Sequence, residues 1–232
     1  MNMQANKLGE LIAQARENPR TREELEQWLA GYRDSVGPAS DVCIQLLQDL
    51  YDAGAIGADA TDRVGELLEI LDALSADPIT ISCAMLHVAG LSEADISKIV
   101  DGLPKEVRRQ VDDLKKMKHY ESGQPLGGTE RSAEGLRRLL LALVKDVRVV
   151  LIDLAWQLVL LRRVRRAAGD GRELAQETML IHAPLANRLG IWQLKWELED
   201  LSFRYLEPDQ YRKIADLVAE HRTEREAFIQ RF

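Results

Sequence analysis

The sequence has few of the residues that build sheets and stapled scaffolds. Aromatics make up 5% of its 232 residues, so any core must be filled by aliphatic side chains, and such a composition favours helix over sheet. There are two cysteines, Cys43 and Cys83, without CxxC spacing. Both fall in apolar helical contexts and read as buried reduced thiols rather than as disulfide or metal ligands. No run is long and apolar enough to span a bilayer. The most apolar stretch, VVLIDLAWQLVLL (149–161), is short and contains Asp153 and Gln157. The N-terminal residues are polar and lack the apolar segment of a signal peptide. Positive charge is not in excess: the net charge of −7 gives no general attraction to nucleic acid. The expectation is a soluble cytoplasmic protein that binds neither DNA nor membrane. With 46% hydrophobic and 30% charged residues, the chain has the make-up of a folded globular protein.

Helical spacing recurs along the chain and strand alternation is nearly missing. Short polar helices are expected over 5–17 and 21–32, the second opened by a capping box of Thr21 and Glu24. After Gly37 and Pro38 a third helix covers 39–53. The next, 60–75, places Val64, Leu67, Leu68, Leu71 and Leu74 on one face. Asp77-Pro78 starts a helix that ends near Gly90, and Ser92 caps another. ESGQPLGGTE (121–130) reads as a loop. A stripe of Leu136, Leu139, Leu140 and Leu143 precedes a break at Asp146. Residues 147–164 are apolar nearly all round, which requires enclosure by other helices. The helix that follows runs to about 182, and after Pro184 the segment PLANRLG closes on Gly190. Two long helices end the sequence; the last carries Tyr211, Ile214, Leu217, Val218, His221 and Phe228 on one face. This is an all-α, multi-helix bundle of about ten or more helices.

The specific signal lies in LRRLLLALVKDVRVVLIDLA (136–155) and HAPLANRLGIWQLKWELEDLSFRYLEPDQYRKIA (182–215). These stretches resemble the RelA/SpoT-homologue family, whose members make or degrade the alarmone (p)ppGpp. The resemblance implies an N-terminal hydrolase domain of the His-Asp (HD) superfamily type. It divides the chain into N-terminal helices at 1–58, a hydrolase-like core at 59–206, and a helix at 207–232 leading toward a synthetase domain that this sequence does not contain.

Active members of that family hold manganese with two histidines and two aspartates, and the metal activates the water that removes the 3′-pyrophosphate. The resemblance places Arg63 at the first histidine, His87 and Val88 at the His-Asp pair, and Trp156 at the last aspartate. The acidic pair that follows falls on Leu91 and Ser92. One ligand of four remains, so the metal site is expected to be degenerate, with no metal, no cofactor and no catalytic residue. Substrate positions differ as well: Asp153, Gln157 and Leu160 stand for a lysine, an arginine and an asparagine, and Gly135 for another asparagine. Arg137, Arg138 and Arg162 remain as candidate contacts to a nucleotide phosphate.

The pattern resembles the RelA-type members, which are dedicated synthetases with a pseudo-hydrolase domain. The resemblance therefore implies a regulatory domain of a protein that transfers pyrophosphate from ATP to GTP or GDP, a GTP pyrophosphokinase of the stringent response. Its implied partners are the synthetase domain of the same protein, guanosine tetra- or pentaphosphate as effector, and, through the full-length protein, the ribosome. Two alternatives stay open: a metal-dependent (p)ppGpp 3′-pyrophosphohydrolase with displaced ligands, and an effector-nucleotide-binding module.

The remaining features read mainly as structure. RRVRR (162–166) fits a solvated helix C-terminus, with a phosphate-binding patch as the sharper reading; KKMKH (115–119) is similar. His119, His182 and His221 lack ligand spacing. Glu197, Glu199 and Asp200 are expected in surface ion pairs, with Lys195 one turn from Glu199. Trp192 and Trp196, also one turn apart, are expected to pack on a neighbouring helix.

Overall fold

The computed structural model describes residues 21–89, 99, 102–123, 146–167 and 169–229. Among them every regular element is helical. The expectations for 5–17, Ser92, the Leu136–Leu143 stripe, Arg137 and Arg138 lie outside the described residues.

Two compact units emerge, Met1–Val159 and Leu160–Phe232. In the first, α1 (Arg22–Val36) starts at the expected capping box: the Thr21 hydroxyl accepts from the Glu24 N–H while a Glu24 carboxylate oxygen accepts from the Thr21 N–H at 2.8 Å. It ends at Gly37, whose φ of 87° is open to glycine and strained for other residues. A short 3₁₀ turn, Pro38–Ser40, leads into α2 (Asp41–Asp52). Next come α3 (Ala58–Ala73), α4 (Pro78–Val88), α5 (Lys105–Gly123) and α6 (Val147–Arg166), the last crossing the division between the units. Of the loop expected at 121–130, residues 121–123 are helical, as α5 runs on to Gly123, and the rest lies outside the described residues.

The centre of the first unit is α4. It packs against α2, α3 and α5. Its residues Thr80 to Leu86 are all buried, as is Val88. A helix buried on every side cannot donate its first N–H groups to water, so its start needs a cap. Asp77 supplies one, accepting from the Thr80 N–H at 2.8 Å, and Pro78 at the first helical position has no N–H to satisfy.

The expectation of an enclosed 147–164 segment holds within α6: Val149, Val150, Ile152, Leu154, Ala155, Leu158, Val159 and Leu161 are buried. Asp153 and Gln157 are buried with them.

In the second unit, α7 (Arg172–Glu177) continues through a π turn, Thr178–His182, into α8 (Ala183–Arg188). Pro184 was expected to interrupt the helix. The chain stays helical instead, because a wider turn forms just before the proline, with the Ala183 N–H donating to the Thr178 carbonyl five residues back. Gly190, at φ 72°, closes the motif. Then follow α9 (Trp192–Leu206) and α10 (Pro208–Ile229). Leu194, Leu198 and Leu201 turn the apolar stripe of α9 onto α7, the π turn and α8.

Two expectations for α9 are corrected. Trp192 and Trp196 do not pack on a neighbour: they are 56% and 67% exposed. Conversely, Glu197 is not a surface carboxylate but a buried one. The buried stripe 194-197-198-201 leaves the tryptophans on the outer side and takes Glu197 inward.

Candidate functional site

His87 is the penultimate residue of α4 and is partly buried. Trp156 projects from α6 onto it. The two rings meet edge to face, with centroids 5.7 Å apart and planes at 87°, the arrangement that aromatic quadrupoles favour. Val88, beside His87, is buried. Arg63 lies on α3, which packs on α4, and pairs with Asp59 one turn back. Of these four positions only His87 carries a donor suited to a divalent metal. Among the described residues no group of three His, Cys, Asp or Glu side chains converges in a way that could hold a metal ion. At these four positions the side chains do not make up the two histidines and two aspartates that the resemblance implies for manganese. Leu91, Ser92, Arg137 and Arg138 fall outside the described residues.

A polar clamp at the starts of the same two helices had no clear signal in the sequence. Asp146 caps α6 by accepting from the Arg148 N–H at 3.1 Å. It also receives the Arg148 guanidinium, with Nε at 2.9 Å and Nη2 at 2.6 Å. Arg148 reaches on to Asp77 at 2.5 Å, the residue that caps α4. Arg109 of α5 lies 3.3 Å from Asp146. One guanidinium thus ties the starts of α4 and α6, whose later turns carry His87 and Trp156. The Arg148 hydrogen bonds hold the Asp146 carboxyl far below the ordinary carboxylate range. At Asp77 burial pushes the other way, but the Thr80 N–H and Arg148 outweigh it and the pKa is lowered. The only hints were the helix-starting Asp77-Pro78 and the break at Asp146; nothing in a linear pattern pairs residues 71 positions apart.

In the second unit Arg162, a candidate phosphate contact, is bonded to Glu197: Nε at 2.7 Å and Nη2 at 2.5 Å from the same oxygen. Both side chains are largely buried, at 16% and 7% exposed. A guanidinium held this way is engaged by protein, not presented to a ligand. Lys195 and Glu199 form the expected one-turn pair at 2.9 Å.

Residues 43–192 match the family described as HD domain. The chain belongs to the HD domain family. Its similarity is to RelA/SpoT-type HD domains. A probable guanosine-3′,5′-bis(diphosphate) 3′-pyrophosphohydrolase of Synechocystis is 41% identical over 163 residues, covering 69% of this chain and 21% of the relative. A GTP pyrophosphokinase of Escherichia coli is 38% identical over 195 residues, covering 82% of this chain and 26% of the relative. A GTP pyrophosphokinase of Photobacterium angustum is 34% identical over 220 residues, covering 90% and 29%. The chain spans about a quarter of the length of these curated relatives. Both the synthetase and the hydrolase name therefore occur among the relatives of this HD domain. Among its described residues no helix is long and apolar enough to cross a membrane.

Proposed function

We propose that this HD domain is a non-catalytic, regulatory pseudo-hydrolase domain of a RelA-type protein whose full-length form makes (p)ppGpp from ATP and GTP or GDP. The observation that carries the reading is the packing of Trp156 on His87. On this reading an indole stands where the family's last aspartate would, and it covers the His87 imidazole with apolar volume. Arg63, already paired with Asp59, would add a repulsive charge to any cation nearby. A site of this kind needs several anionic or neutral donors to offset the dehydration of the metal, and one imidazole does not supply them.

On this reading the domain uses no metal and no cofactor of its own. Its partners are the synthetase domain of the full-length protein and, through that protein, the ribosome, with guanosine tetra- or pentaphosphate as effector. The Arg162–Glu197 bond argues against Arg162 as a phosphate contact and leaves Arg137 and Arg138 as the candidates. A calorimetric titration with guanosine tetraphosphate tests the effector role; no heat at millimolar ligand removes it.

The hydrolase name of the Synechocystis relative supports the second reading, a 3′-pyrophosphohydrolase with displaced ligands. Incubation of the chain with guanosine tetraphosphate and manganese separates the two. The regulatory reading expects no pyrophosphate release above the protein-free rate; sustained turnover that a chelator abolishes would establish the second.

A further inference from the structure

The outer side of α9 carries a surface that the regulatory reading does not use. Trp192 and Trp196 lie one turn apart and are 56% and 67% exposed. Asp200 continues their stripe by another turn and is exposed. Lys195 and Glu199 flank it, 2.9 Å from each other, with the Lys195 ammonium 5.9 Å from the centre of the Trp192 ring. The opposite side of the helix, Leu194, Leu198 and Leu201, is buried in the second unit, so the backbone beneath the tryptophans is firmly seated.

Exposed tryptophans on a seated helix are the residue type most enriched at binding hot spots. The charges decide what kind of partner fits. Glu199 and Asp200 oppose a nucleic acid or an anionic membrane. One cation and one anion a single turn apart make the face self-complementary. Under a two-fold axis between residues 195 and 199, two antiparallel copies of α9 bring Lys195 of each copy opposite Glu199 of the other. The same axis lays the two Trp196 rings together, and an isologous contact makes each interaction twice. The exposed parts of the two indoles offer roughly 300 Å² per copy, more than a third of the about 800 Å² per partner in a standard interface. With Gln193 and the flanking charges the contact stays below standard size, in the range of weak, transient association.

We propose that the Trp192–Trp196 face of α9 is a two-fold docking surface for a second copy of this chain, with Lys195 and Glu199 exchanging partners across the axis.

Sedimentation velocity over a concentration series of the 232-residue chain tests this, with circular dichroism confirming retained helix in each variant. The wild-type chain is expected to pass from monomer to dimer in the micromolar range, and Trp196→Ser to remain monomeric. Lys195→Glu alone sets Glu against Glu across the axis, and Glu199→Lys alone sets Lys against Lys; each is expected to weaken association by about tenfold or more. An equimolar mixture of the two single variants restores both cross-axis pairs and is expected to dimerise within about threefold of wild type. Loss of the pair within one chain cannot produce that rescue. A wild-type monomer at every concentration overturns the proposal. A dimer indifferent to Trp196→Ser, or a mixture that fails to associate, overturns it as well.

Discussion

The indole of Trp156 stands edge-on to the imidazole of His87, 5.7 Å between centroids, joining α6 to the end of α4 by an aromatic contact. A contact of this kind contributes through packing, so its removal is read in stability. Trp156→Ala is expected to lower unfolding free energy by about 2–3 kcal/mol, below the range of a fully buried indole because Trp156 is only partly buried. Urea denaturation measures it. A loss under about 0.5 kcal/mol would mean the two rings merely adjoin.

The Asp146–Arg148–Asp77 clamp makes a pH prediction. Asp146 is 8% exposed, and its folded pKa lies below the ordinary value of about 3.9 that it recovers on unfolding. A depressed carboxylate stabilises the fold above the unfolded pKa, and that stabilisation is lost as pH falls toward the folded pKa. Asp146→Asn is therefore expected to be destabilised by about 3 kcal/mol at pH 7, with the gap to wild type narrowing only below about pH 4. Thermal unfolding between pH 3 and 8 measures both curves. A gap that stays constant down to pH 3 would remove the clamp from the acid response.

Much of the fold was legible because its signals are local. The Thr21–Glu24 box, Asp77-Pro78 and Gly190 mark helix ends within a few residues, and each acts there. The leucines of α3 announce a buried face by their spacing, and α6 announces its enclosure by being apolar nearly all round. What sequence could not give was relative placement. The wrong faces of α9 follow from this: tryptophans are normally buried and glutamates exposed, but the Leu194–Leu201 stripe fixes the rotation of the helix, and Glu197 falls inside it with Arg162 to receive it. At the candidate site the resemblance pointed to four positions, whereas the contact of His87 with Trp156, 69 residues apart in sequence, needed the fold.

Burial also governs the thiols. It pushes Cys43 up to about 11 and Cys83 up to about 12. Cys43 lies against Ser82 and the Pro78 carbonyl. The thiolate is the reactive form, so both cysteines are expected to resist alkylation in the native chain at pH 8 and to react promptly in denaturant. Mass spectrometry after a timed iodoacetamide pulse counts the labels. Rapid labelling of either residue in the native chain would contradict their enclosure.

Gly171 is required by a neighbouring ring. A Cβ there would stand 2.7 Å from Cε1 of Tyr205, whose hydroxyl donates to the Leu161 carbonyl at 3.3 Å. An aromatic ring has no flexible end to move aside. Gly171→Ala is expected to destabilise the chain by about 1–3 kcal/mol. Combining it with Tyr205→Leu should give less than the sum of the two single losses, since the clash then has no second partner. Strict additivity in a double-mutant cycle would refute the contact.

In the proposed reading, packed side chains around His87 stand where a manganese site would be. Titration of the chain with manganese, followed by isothermal calorimetry and by elemental analysis after gel filtration, tests it most directly. No saturable heat at millimolar manganese and a bound metal content far below one per chain are expected. One tightly held manganese per chain, lost on substituting His87→Ala, would contradict it.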